Sequence, residues 1–217
     1  MYTATPIGSE KYKLGEGPYY DAALKRLSWV DITDNKIWYM GPDGVKKSIS
    51  LPQHVGSAIP LRGSDGFACC MEDGIYKWEN EKLTLAVDLK NVFKPHWRSN
   101  DAKADARGRI WCGASVNDEN LPAEGNLYLV NEGNVSVAVA GTKISNGMAW
   151  SSDRKKFYFS DSLEHAVFVF DYEEEGGKLS NRKVLFEVEN GVPDGLCIDS
   201  EDNICLAVWG GSRVEKR

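Results

Sequence analysis

The sequence predicts an all-β fold, a β-propeller. Three observations predict it: short apolar strands alternate with polar turns along the whole chain, the chain matches itself in several places, and the matched starts recur at a nearly constant spacing. That spacing is about 40–50 residues with about four strands in each repeat, the signature of a propeller blade. Solenoid repeats of this length are mostly helical, and no helical heptads occur here. At 217 residues the chain is long enough to bury a core, and residues 1–217 are read as one propeller domain.

The strands announce themselves in order. LSWVDI (27–32) precedes KIWYM (36–40), GFACCM (66–71) precedes GIYKWE (74–79), and RIWCGAS (109–115) precedes GNLYLV (125–130). FYFSDS (157–162) then AVFVFDY (166–172), and GLCID (195–199) then ICLAV (204–208), have the same form. Short runs rich in aromatic and β-branched residues, bounded by Gly, Asp and Asn, read as antiparallel strands. GPDG (41–44), GSDG (63–66), ARGR (106–109) and EEEGG (173–177) supply the tight or left-handed turn positions that hairpins need.

Glu16 to Met40 matches Asn146 to Phe170 without a gap, which sets Asp31 on Asp161 and Ile37 on Val167. Asn100 to Trp111 matches Asp194 to Cys205, with Asp105 on Asp199. Glu16 also matches Asn100, and Ala58 falls between them at the same register. The blades therefore start near 16, 58, 100, 146 and 194. Only the short segment 195–217 follows Asp194. The fifth blade is expected to stop after its second strand, leaving an open ring of about four and a half blades.

Glu16, Asn100, Asn146 and Asp194 share one register, each just before the first strand of its blade. That strand lies nearest the axis, so the four side chains are expected to converge at one mouth of the central channel. Asn and Asp also cap turns, but four polar residues at one register favour a site. Glu16, Asn146 and Asp194 offer only oxygens. Two carboxylates held together without a cation repel, and one keeps its proton; a divalent ion removes the conflict. All-oxygen ligands suit Ca²⁺, Mg²⁺ or Mn²⁺, and Zn²⁺ accepts carboxylates.

LGEGP (14–18), RSND (98–101), SNGMAW (145–150), GVPDG (191–195) and WGGSRV (209–214) resemble the gluconolactonase, regucalcin (senescence marker protein) and luciferin-regenerating enzyme family, in order and over essentially the whole chain. The resemblance implies a six-bladed propeller with a divalent metal at its centre, of which this chain would lack roughly the last blade and a half. It makes Glu16, Asn146 and Asp194 the metal ligands, with calcium first among the candidate ions. It places Arg98 and Asn100 on the substrate and, through a loop of different length, Asp118 as well. Ala102 stands where the family usually has Gly, at a cost of about 1 kcal/mol if the backbone there is left-handed.

The implied reaction is hydrolysis of a sugar lactone, with Asp194 as general base. The alternatives are a calcium-binding regulator without turnover and an inactive fragment of such a propeller. The net charge of −6 argues against nucleic acid or an anionic membrane as partner. No run of 18 apolar residues occurs, and the N-terminus lacks the basic and apolar regions of a secretory signal. Five cysteines without a Cys-x-x-Cys pair suggest a reducing cytoplasm, and a monomer or weak oligomer is expected. No Gly-x-Ser-x-Gly elbow, P-loop or dinucleotide fingerprint occurs. His54, His96 and His165 read as ordinary loop residues, though His96 lies near Arg98. Cys69 and Cys70 should face opposite sides of a strand, and all five cysteines are expected to pack in the core.

Overall fold

The structure, a computed structural model, describes residues 5–118 and 120–217. Alternation and tight turns fold the chain into five antiparallel sheets. Blade 1 holds β1 (Gly15–Asp21), β2 (Arg26–Asp31), β3 (Lys36–Met40) and β4 (Lys46–Ser50). Blade 2 holds β5 (Val55–Pro60), β6 (Phe67–Met71), β7 (Gly74–Glu79) and β8 (Lys82–Asp88). Blade 3 holds β9 (Trp97–Ala104), β10 (Ile110–Val116), β11 (Gly125–Asn131) and β12 (Asn134–Thr142). Blade 4 holds β13 (Ser145–Trp150), β14 (Lys156–Asp161), β15 (Ala166–Glu173) and β16 (Lys178–Glu187). Blade 5 holds β17 (Val192–Ile198), β18 (Ile204–Trp209) and β19 (Arg213–Lys216). Among the described residues no helix is long and apolar enough to cross a membrane.

The fifth blade thus has three strands, not the two expected, and the chain forms five blades rather than four and a half. Two glycines after Trp209, with Gly210 at φ 73°, let the chain reverse. Arg213 to Lys216 then pair with Val208 to Cys205 and satisfy the backbone groups along the free edge of β18.

Period-two alternation sends successive side chains to opposite faces of each blade. Phe67, Cys69 and Met71 pack against Val30 and Ile37 of blade 1, whereas Ala68 and Cys70 pack against Cys112 and Tyr128 of blade 3. Trp111 and Leu127 meet Met148, Phe157 and Phe159 between blades 3 and 4. Val167 and Ala149 meet Leu196, Leu206 and Val208 between blades 4 and 5. Each interface between successive blades therefore has its own apolar core. Cys69, Cys70 and Cys112 are buried as expected, but Cys197 is exposed and Cys205 only half-buried, because their face of blade 5 points away from blade 4.

The internal repeat extends to hydrogen bonds. The Asp31 carboxylate accepts from the backbone N–H of Lys13 and Leu14, both at 3.0 Å. Asp161 accepts from Lys143 at 2.9 Å and Ile144 at 3.0 Å, the corresponding two positions just ahead of the self-matching segment. Each pair ties the segment entering a blade to the end of that blade's second strand. Asp105 and Asp199 likewise accept from the backbone N–H two and four residues ahead, in the turns after β9 and β17.

Candidate metal centre at the channel mouth

The first strands touch in succession, β1 with β5, β5 with β9, β9 with β13 and β13 with β17. They wall a cavity of about 1310 Å³ that Glu16, Arg98, Asn100, Asp101, Asn146 and Asp194 all line. The four polar residues of the repeat stand inside these strands rather than just before them. At each the pairing slips. Gly17 and Pro18 follow Glu16 in the irregularity of β1. Asn100 and Asp101 lie between the paired Ser99 and Ala102, Asn146 and Gly147 between Ser145 and Met148, and Asp194 and Gly195 between Pro193 and Leu196. An extra residue in one strand bends it and re-aims the side chain, which turns these residues toward the axis. In β5 the slip falls at Gly56, between Val55 and Ser57. Ala58 is regularly paired with Cys69 and does not share the register expected for it.

Asp194 is 8% exposed, and Glu16, Arg98, Asn100 and Asn146 are half-buried. Burial, then the charges of Asp194 and Asp101, push the Glu16 carboxyl up to about 7 despite Arg98. Burial and the Asp101 charge push Asp194 up to about 6. Asp101 is itself raised by burial, with Lys103 opposing. Sequence reasoning passed over Asp101 because it carries no repeat partner of its own type; its signal was its place beside Asn100 in the slipped pair.

Among the described residues no three His, Cys, Asp or Glu side chains stand close enough to hold one ion. The mouth combines carboxylates with amides instead. Asn146 Nδ2 donates to Ser162 Oγ at 2.9 Å, and the Asn146 amide also lies beside the Asp194 carboxylate; among the described residues its Oδ1 takes a long hydrogen bond, 3.3 Å, from Asn100 Nδ2. Two carboxylates that resist ionising together, plus an amide oxygen, fit a hard divalent cation, whose charge would relieve the repulsion.

Arg98 is held before any ligand arrives. Its Nε donates to Asn117 Oδ1 at 2.9 Å, and its Nη1 to Ser99 O at 2.8 Å and Asn100 Oδ1 at 2.9 Å. No hydrogen bond from Nη2 to a described residue occurs, so that edge of the guanidinium is uncommitted. Asn117 also faces His54 at 3.4 Å, and His54 Nδ1 lies 2.8 Å from Glu72.

Asp118 stands apart. Its carboxylate accepts from the backbone and side chain of Asn120, at 3.0 and 2.9 Å, and it is not among the residues lining the cavity. It caps its own turn, and its neighbour Asn117 reaches Arg98 instead. His96 is exposed, and its carbonyl accepts from Asn117 N at 2.7 Å. Ala102 is extended, buried strand within β9 and is not at positive φ, so the expected cost of replacing Gly there does not arise.

A family model described as SMP-30/gluconolactonase/LRE-like region matches residues 14–216. Regucalcin of Xenopus laevis is 36% identical over 219 residues, covering 96% of this chain and 72% of that protein. Among solved structures, a luciferin-regenerating enzyme superposes with a TM-score of 0.89 at 32% identity, over 95% of this chain and 72% of that one. A regucalcin from Agrobacterium tumefaciens, described as a calcium-binding protein, superposes at 0.90 with 24% identity over 97% and 72%; that likeness concerns the fold alone.

Proposed function

The chain belongs to the SMP-30/gluconolactonase/LRE-like family, and from that premise we propose that it is a metal-dependent hydrolase that opens a sugar lactone to its aldonic acid. The observation that carries this reading is Arg98, buttressed on two nitrogens and uncommitted on the third, beside a cluster of acidic and amide oxygens. Binding a cation requires no arginine, and placing one there opposes it. Recognising a carbonyl or hydroxyl oxygen of a substrate does require such a donor.

Glu16, Asn146 and Asp194 would hold the ion, with calcium the first candidate and Zn²⁺, Mn²⁺ or Mg²⁺ the others. When bound, the ion supplies Lewis-acid polarisation of the lactone carbonyl. Asp194 takes a proton from the attacking water as the water oxygen bonds to the carbonyl carbon. Arg98 Nη2 orients the ring and donates to the oxygen that gains charge, while Asn100 holds the guanidinium in place through its Oδ1 and lies beside the substrate. The bond from that carbon to the ring oxygen then breaks, and the proton on Asp194 passes to the departing alkoxide, which leaves as a hydroxyl. Five unpaired thiols fit the reducing cytoplasm as its place of action.

Calorimetric titration of chelator-treated protein with each ion, followed by a lactone-hydrolysis assay, tests the reading. Saturable binding lost in Glu16→Gln, together with metal-dependent turnover, is the expected result. Binding without turnover on any sugar lactone would favour a calcium-binding regulator. No binding by any ion would overturn the metal centre.

A further inference from the structure

Lys103 reaches from β9 along the channel wall. Its Nζ donates to Met148 O of β13 at 2.8 Å and to Leu196 O of β17 at 3.1 Å. These two carbonyls occupy equivalent places. Met148 and Leu196 are the first residues to regain regular pairing after the slips at Asn146-Gly147 and Asp194-Gly195. Hydrogen bonds of a sheet run within a blade, so channel-facing carbonyls of different blades have no strand partner across the axis. One ammonium with three donors satisfies two of them at once.

The other side of the slip in β17 is pinned separately. Ser160 Oγ donates to Asp194 O at 2.6 Å, and Ser162 Oγ to Pro193 O at 2.8 Å. In β13, Asn100 Nδ2 donates to Ser145 O at 2.9 Å. The strands bearing Asn146 and Asp194 are therefore held before the slip by side chains of blades 3 and 4, and after it by Lys103. Gly147 packs so closely on Asp194 O and the Leu196 backbone that a side chain there would not fit, so the two strands run side by side at the ligand positions and a small change in their spacing moves one ligand relative to the other.

We propose that Lys103 is a positioning residue for the metal centre: its ammonium sets the spacing between the Asn146 and Asp194 strands and so the distance between the two ligand oxygens. The inference rests on the metal-binding reading above and goes beyond it, because it assigns control of ligand spacing to a group that does not touch the ion. Charge alone predicts the opposite effect. A nearby cation repels a divalent ion, so removing it without moving the ligands tightens binding. Lys103 also favours the ionised form of Asp101, so affinity is read together with the hydration of the bound ion: an added water reports a withdrawn ligand, which a change of charge alone does not produce.

The test uses Tb³⁺, an oxygen-seeking ion whose luminescence lifetimes in H₂O and D₂O count its bound waters. Wild type, Lys103→Met and Lys103→Arg are titrated at one pH, with near-ultraviolet circular dichroism reporting the fold. In Lys103→Met, Tb³⁺ affinity is expected to fall by about 10–100-fold, and the bound ion to carry at least one more water because a protein oxygen has withdrawn. Lys103→Arg, which keeps the cation and the donors, is expected to recover most of the affinity and the original hydration. If Lys103→Met does not fold, Lys103→Gln, which keeps an N–H donor and drops the charge, is read in its place with the same expected loss in smaller measure. Equal or tighter binding with unchanged hydration in the folded variant would overturn the positioning role and leave the metal centre standing. Failure of wild type itself to bind Tb³⁺ or Ca²⁺ would overturn both.

Discussion

Glu16 and Asp194 belong to the first and last blades yet line one mouth of a single cavity, and after burial the Asp194 charge is the largest cause that pushes the Glu16 carboxyl up to about 7. The ordinary value is 4.5. Between these values the folded chain keeps a proton that the unfolded chain has released, so rising pH removes stability across that window. Without metal, wild type is expected to lose about 3 kcal/mol relative to Glu16→Gln between pH 4.5 and 8. Urea unfolding in chelator at both pH values measures the difference. A difference that does not change with pH would refute the buried, repelled state of Glu16. Added Ca²⁺ is expected to reverse the loss in wild type and not in the variant.

Asn117, not Asp118, is expected to matter for substrate. Asn117→Ala removes the 2.9 Å acceptor of Arg98 Nε, and a hydrogen bond to a charged group contributes about 1.5–3 kcal/mol. KM for the lactone is expected to rise about tenfold or more, with metal affinity unchanged. Asp118→Ala removes the hydrogen bonds to Asn120 in its turn and is expected to change neither value by more than about twofold. Steady-state kinetics and calorimetry on both variants decide the matter; equal effects from the two would show that the Arg98 anchor is unimportant.

Asp194→Asn keeps an oxygen for the ion and loses the ability to accept a proton. Turnover is expected to fall by about 10²–10⁴-fold, with metal affinity falling much less. Full turnover in this variant would remove Asp194 from the proton-transfer role.

Gly147→Ala tests the close contact of blades 4 and 5. A Cβ there would lie 2.6 Å from Asp194 O and closer still to Leu196 N, and backbone cannot yield as a flexible side chain can. The expected loss is about 1–3 kcal/mol in urea unfolding, with weaker metal binding because the Asp194 strand shifts. Unchanged stability would mean that the two inner strands are not rigidly coupled.

Much of the fold was legible because a blade is a local object. Its four strands are neighbours in sequence, so Phe157 to Asp161 declare a strand without reference to the rest of the chain. The self-match of the chain then aligned Asp31 with Asp161, and their matching backbone contacts show that the repeat is structural. The convergence of Glu16, Asn100, Asn146 and Asp194 followed from the same alignment. Ala58 was misplaced because blade 2 slips at Gly56, and apolar strands show such an irregularity only through their pairing.

The sequence by itself determined the propeller, the order of its blades and the residues that share the inner register, since period-two alternation and turn chemistry act over a few residues. Only the tertiary structure decided which side chains meet. Asp101 gained its weight from burial beside Glu16 and Asp194. Asn117 rather than Asp118 reaches Arg98, since the turn at Asn120 holds the Asp118 carboxylate, and Lys103 links three strands because its Nζ meets carbonyls of the next two inner strands. Burial, repulsion between carboxylates and hydrogen bonding across a channel depend on distances between residues far apart in the chain, and those distances exist only once the blades have packed.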